Sequence, residues 1–184
     1  MPTSPYGPIQ HFDGFGQLNT VSGSTGTLPA GLNLGQPRWE NGVMYRLFCN
    51  ASLQSAAAGQ GMARYLNSAA GGNSPYSVTV TTTTESVSGI ACVTPNTVTT
   101  GFYFWGAEEG HPVKLLVSNI SIATGAAVMP AANGKFTLAS GVSTMIGLNA
   151  GDAALATGTT DLASGRFYID FRASQRKAMY DDPA

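Results

Sequence analysis

The sequence predicts an all-β protein: a small antiparallel β-barrel or sandwich, with an extended N-terminal arm and a short C-terminal tail. Three observations lead there. Apolar residues recur with a period of two along several short segments, which places one face inward and one face in water. Asn-Gly pairs at Asn41-Gly42 and Asn133-Gly134 stand between such segments, and both central residues of a tight hairpin turn need positive φ. Glycine is abundant, with 23 residues in a chain of 184, and it starts or stops most of the β-like runs.

From the N-terminus, residues 1–37 read as the arm. They contain no Lys or Arg, and Asp13 is their one charged residue. Pro2, Pro5, Pro8, Pro29 and Pro37 oppose regular helix and central strand. Yet Tyr6, Ile9, Phe12, Phe15, Leu18, Leu28, Leu32 and Leu34 are spread through the segment. A linker that stays disordered rarely carries so many large apolar groups. The expectation is an arm that orders on a partner's surface, with Tyr6, Ile9, Phe12, Phe15 and Leu18 as its partner-binding residues. Stretched out, it spans on the order of 100 Å at about 3.3 Å per residue. The competing reading is a strand and loops folded back on the parent domain.

Residues 38–172 read as the barrel. Arg38 to Cys49 is strand, Asn41-Gly42 turn, strand, with Val43, Tyr45, Leu47 and Cys49 on one face and Met44, Arg46 and Phe48 on the other. Both faces carry apolar groups, so this strand is either central or set against another subunit. Ala51 to Ala70 mixes helix-favouring alanine with Gly59 and Gly61. Its Ala58–Arg64 portion weakly echoes Glu109–Leu115, which favours a turn followed by a strand. Tyr76 to Thr84 is rich in β-branched residues and reads as a strand. Gly89–Val93 and Thr97–Trp105 give two more, with Glu108, Glu109 and His111 in a solvated loop after them. Trp39, Phe48 and Trp105 stand out as candidate interface aromatics, against the plainer reading of core rings. In the stretch Gly110 to Arg172, Val113, Leu115 and Val117 share one face, as do Phe136 and Leu138, and Phe167, Ile169 and Phe171. Residues 173–184 form a charged tail expected to fray.

Composition bounds function. Charged residues make up 10% of the chain and the net charge is −1, so there is no electrostatic footprint for nucleic acid. The first residues have no basic stretch followed by an apolar one, so no secretory signal is expected. No apolar run reaches the roughly 20 residues of a membrane-spanning helix. Cys49 and Cys92 read as small buried hydrophobes, with their pairing left open. His11 and Asp13 lack further metal ligands, and no cofactor is expected. Glu108, Glu109 and His111 come without a nucleophile or a phosphate loop, so no catalytic residue is assigned and no enzyme is expected. Asn50-Ala51-Ser52 and Asn119-Ile120-Ser121 match the glycosylation pattern by chance in the absence of a secretory signal.

The second half of the domain carries a pattern of its own. Gly125-Ala126-Ala127-Val128-Met129-Pro130 leads to Asn133-Gly134-Lys135, then Ile146-Gly147-Leu148, then the alternating Phe167–Phe171 strand. That order resembles the small β-barrel head decoration (capsid cement) proteins of tailed bacteriophages. The resemblance covers this half alone and rests on pattern rather than on catalytic residues. It implies a virion protein on the capsid exterior, with the major capsid protein and copies of itself, as a homotrimer, for partners. Nucleic acid and membrane are not among the expected partners. The alternative is a phage-surface or tail-associated adhesin, a glycan-binding β-module using exposed aromatics. A secreted β-sandwich domain is the third reading.

Overall fold

A computed structural model describes residues 17–22, 28, 31–64, 76–80, 90–118, 122–139, 147–149 and 167–171. The described residues are nearly all β, and five of their strands close into a barrel. The strands are β1 (Gln17–Ser22), β2 (Pro37–Glu40), β3 (Val43–Asn50), β4 (Gly61–Arg64), β5 (Ser77–Val80), β6 (Ile90–Val93), β7 (Phe102–Val113), β8 (Ala127–Pro130), β9 (Phe136–Leu138), β10 (Gly147–Asn149) and β11 (Phe167–Asp170). The barrel runs β3-β5-β4-β6-β7 and closes by β7 pairing with β3. The β3–β5 contact is parallel and the others are antiparallel.

Strands β3 and β7 form the axis of the molecule. They pair with each other from Val43↔Gly110 to Cys49↔Tyr103. A strand has two edges, so each uses its outer edge for several neighbours in turn. On β3, that edge serves β2 along Val43 to Arg46 and β5 at Cys49 and Asn50. On β7 it serves β1 near Phe102 and Phe104, β6 at Ala107, and β11 from Glu109 to Val113. From β11 the sheet continues through β10, β8 and β9 as a wing.

The alternation of β3 and β7 therefore separates two cores. Phe48 and Phe104 point into the barrel with Met62, Val78, Val80, Cys92 and Val98. Val43, Tyr45, Leu47, Cys49, Tyr103, Trp105 and Ala107 point the other way, where the wing covers them with Leu115, Val117, Ile122, Val128, Phe136, Phe167, Ile169 and Phe171. The wing also touches the barrel at the start of β4. Gln60 Nε2 donates to Asn133 O at 2.6 Å, and a Cβ on Gly61 would meet the Phe136 ring at 2.9 Å.

Both predicted Asn-Gly turns are present. Asn41 and Gly42 have φ of 49° and 81° and join β2 to β3; Asn133 and Gly134 have φ of 58° and 64° in a 3₁₀ turn that joins β8 to β9. The predicted alternation holds for Val113, Leu115 and Val117 and for Phe167, Ile169 and Phe171, all of them buried. It fails for the pair Phe136 and Leu138, since Phe136 is buried and Leu138 is exposed at the end of β9. Turn-then-strand is the outcome at Ala58–Arg64, where Gly59 at φ 75° precedes β4.

Two boundaries differ from expectation. The arm was expected over residues 1–37, but β1 pairs with β7, and Leu28, Leu32 and Leu34 pack against the wing core. Leu28, Leu32 and Leu34 thus bury apolar surface on their own domain, and Leu18 belongs to a paired strand. Tyr6, Ile9, Phe12 and Phe15 lie outside the described residues, as do the tail 173–184, the end of the predicted Tyr76–Thr84 strand, and Asn119. The second difference is β7. The strand predicted over Thr97–Trp105 begins at Phe102 and continues to Val113, through the segment expected to be a solvated loop.

Candidate functional site

Two places on the described surface have the makings of a site. One is polar and sits at a barrel mouth. The other is the edge strand β2.

The barrel mouth is built by β3 and β7. Arg46 stands two residues before Phe48, so it shares the inward face of β3. Opposite it, β7 carries an extra residue. Tyr45 pairs with Ala107 and Met44 with Glu109, which leaves Glu108 as a β-bulge with no residue facing it on β3. The bulge turns Glu108 into the interior, where it is 2% exposed. Arg46 Nε donates to Glu108 Oε1 at 2.9 Å, and Arg46 Nη1 donates to Gly35 O at 2.7 Å. The guanidinium also lies over the Tyr76 ring, 5.9 Å from its centroid. Tyr76 packs directly on Gly35, where any Cβ would fall inside the ring's envelope. A buried carboxylate is costly unless paired and hydrogen-bonded, and Arg46 provides both.

The charge at this mouth reaches into the barrel. Burial pushes the Cys92 thiol well up, the Glu108 charge raises it further, and Arg64 opposes them. Gly106 makes room for that thiol, since a Cβ there would meet Cys92 Sγ at 2.6 Å and Phe48 at 2.9 Å. Cys49 is raised by burial as well. Both cysteines are buried and free, so they are inert hydrophobes of the cores rather than a disulfide. Tyr45 is pushed up to about 12 by burial, then by Glu40, with Arg38 opposing.

The second place is β2 and the sheet face beside it. Trp39 is 61% exposed, the one tryptophan available to a partner. Arg38 and Glu40 flank it and form an ion pair with each other on the opposite face of the strand. Arg38 also lies over the buried Trp105 ring, at 5.8 Å from its centroid. Tyr168 is a further exposed aromatic, on β11. The register Trp39↔Met44, Met44↔Glu109, Glu109↔Asp170 runs straight across four strands. Trp39 and Tyr168 therefore share a face and stand about 14 Å or more apart, at ~4.8 Å per strand.

Of the three candidate interface aromatics, only Trp39 is at the surface. Phe48 is fully buried inside the barrel and Trp105 is buried beneath the wing, with its indole Nε1 meeting no acceptor. Neither ring can reach another chain, because β3 and β7 have core on both sides. Glu108 is likewise no solvated loop residue. Sequence reasoning missed the Arg46–Glu108 pair because the partners are 62 residues apart. Asn50 also resolves: its amide is buried and donates to Val98 O at 3.1 Å, so it is no glycan acceptor in the folded chain. Among the described residues no group of three or more His, Cys, Asp or Glu could hold a metal ion. His11 and Asp13 lie outside those residues. Compared with models of known protein families, with curated proteins and with solved structures, the chain matches none.

Proposed function

We propose that this chain is a structural virion protein, one that binds the outer surface of a phage capsid and stabilises contacts between major capsid protein subunits. In this reading it assembles in the host cytoplasm, decorates the capsid exterior, and self-associates as a homotrimer. It is a binding protein and not an enzyme. One observation carries the reading. A barrel and wing with filled cores follow a leader, residues 1–16, that has one charged residue and yet carries Tyr6, Ile9, Phe12 and Phe15. Such a leader gains most by burial on another chain. Burial of each of those side chains is favourable by roughly 1.5–3 kcal/mol. Pro2, Pro5 and Pro8 restrict the free chain and so lower the entropy lost when it orders. The pattern resembling head decoration proteins supports the same reading, as does the low charge of the whole chain.

The test is deletion of Met1–Gly16, which spares β1. Binding to empty heads of the phage that encodes the chain is measured by co-sedimentation. The expected result is at least a hundredfold loss of affinity with the barrel still folded. Equal decoration by the truncated and full chains would refute the reading.

Exposed Trp39, with Tyr168 on the same face, favours a second reading as a glycan-binding module. It predicts binding on a glycan array that Trp39→Ala abolishes, with no affinity for heads.

A further inference from the structure

We infer that β2 is the contact strand of a two-fold dimer, in which it pairs antiparallel with β2 of a second copy about Trp39.

The backbone ladder shows which groups β2 offers. Leu47 N donates to Gln36 O at 3.1 Å, which makes Pro37↔Arg46 a non-hydrogen-bonded pair of the β2–β3 ladder. Alternation then turns the amide and carbonyl of residues 38 and 40 toward β3, and those of residue 39 away from it. Trp39 thus presents both an N–H and a C=O on the outer edge of β2. Pro37, which shares that direction, presents only a carbonyl. The sheet path has two ends. At the β9 end, Phe136 is bonded on its outer edge by the Leu116–Ser118 segment. At the β2 end, no strand lies beyond among the described residues. An edge of this kind pairs with another strand unless something blocks it.

The sequence of the edge is self-complementary. An isologous contact places each residue opposite its symmetry mate about one axis. With Trp39 on that axis, Trp39 N–H and C=O meet C=O and N–H of the other copy's Trp39. Arg38 then faces Glu40 of the other copy, and Glu40 faces its Arg38. The carbonyl of Pro37 accepts from the amide of Asn41 across the axis, so the missing proline N–H falls at the rim. Opposite charges directly across two strands favour pairing and like charges oppose it. The exposed Trp39 ring is covered by its mate, and the sheet runs on from one copy to the next. A contact this short is weak, with dissociation in the micromolar range or above. The inference rests on β2 alone, and its failure leaves the capsid reading standing.

The test uses the full chain in sedimentation velocity at concentrations on the order of 100 µM, where the wild type should associate. Arg38→Glu puts Glu opposite Glu, and Glu40→Arg puts Arg opposite Arg. Each alone should weaken association at least tenfold. An equimolar mixture of the two should restore it, because every cross-strand pair is then opposite in sign. The mixture repairs nothing within either chain, so damage to folding could not mimic the rescue. In a second arm, Trp39→Cys should give a disulfide-linked dimer under mild oxidation. Its Cα atoms would lie about 5.5 Å apart, within the span of a disulfide, while Cys49 and Cys92 are buried. Where another surface also makes a trimer, the pairing reads as a doubling of that trimer, and the cross-link still forms. A wild type without association, single reversals that associate normally, a mixture that stays dissociated, or no cross-link at position 39 would each overturn the inference. Any of these would leave the edge to a strand from a different protein.

Discussion

Breaking the Arg46–Glu108 pair from one side should cost more than breaking it from the other. Arg46→Met leaves a carboxylate that is 2% exposed without the guanidinium bound at 2.9 Å. The cost is about 3–5 kcal/mol, the usual figure for removing one partner of a buried ion pair. Glu108→Gln leaves Arg46 still bonded to Gly35 O and over the Tyr76 ring, with 21% of its side chain open to water. That cost is about 1.5–3 kcal/mol, near the value of one charge-assisted hydrogen bond. The double variant removes both charges and should lose about 2 kcal/mol less than the sum of the singles. Urea unfolding at pH 7, followed by tryptophan fluorescence, reads all three. With a slope of about 2 kcal/mol per molar, Arg46→Met should lower the midpoint by roughly 1.5–2.5 M. A loss below about 1 kcal/mol for Arg46→Met, or additive single effects, would show that the mouth is wet and the pair incidental.

Three further outcomes follow from the same geometry. Gly35→Ala and Gly110→Ala each force a Cβ into a neighbour, the Tyr76 ring and the Gly42 carbonyl, from a backbone already at positive φ. Each should cost more than about 3 kcal/mol in thermal unfolding, whereas Gly125→Ala, in open space at φ +76°, should cost only the backbone term of about 1–2 kcal/mol. Tyr45 loses its proton near 12 in the folded chain and near 10 in the unfolded one. The folded state therefore holds the extra proton between those values, and stability falls as pH rises from about 10 to 12, by at most about 2 kcal/mol. Tyr45→Phe should flatten that fall in alkaline urea titrations. Finally, neither thiol should react with a disulfide reagent at pH 8 faster than the chain opens, and Cys92 should lag Cys49. Rapid labelling of Cys92 would mean that the barrel interior breathes.

What the sequence revealed and what it hid divide along one physical line. Local chemistry was legible. Asn41-Gly42 and Asn133-Gly134 mark turns because positive φ selects those residues wherever they stand. Val113, Leu115, Val117 and Phe167, Ile169, Phe171 alternate because one side of each segment faces the wing core. Long-range pairing was not legible. Glu108, Glu109 and His111 read as a loop, yet they are strand because the β3 side supplies their pairing and Arg46 supplies the counter-charge to Glu108. Phe48 and Trp105 read as interface rings because their strands are apolar on both faces. In a closed barrel covered by a wing, both faces are interior. Of the three rings only Trp39 is exposed, and its strand β2 is flanked on one edge only among the described residues.

The same two strands also determine how the molecule should respond to strain. Barrel and wing are not separate bodies joined by a linker. β7 gives its Phe102–Ala107 part to the barrel and its Glu109–Val113 part to β11, and the bulge at Glu108 stands where one passes into the other. Opening the wing exposes Tyr45, Leu47, Trp105 and Ala107, which lie on the reverse of the residues that fill the barrel. Opening the barrel frees Arg46 and Glu108 at that junction. Either event removes the support of the other, so unfolding should be a single cooperative transition despite the two cores.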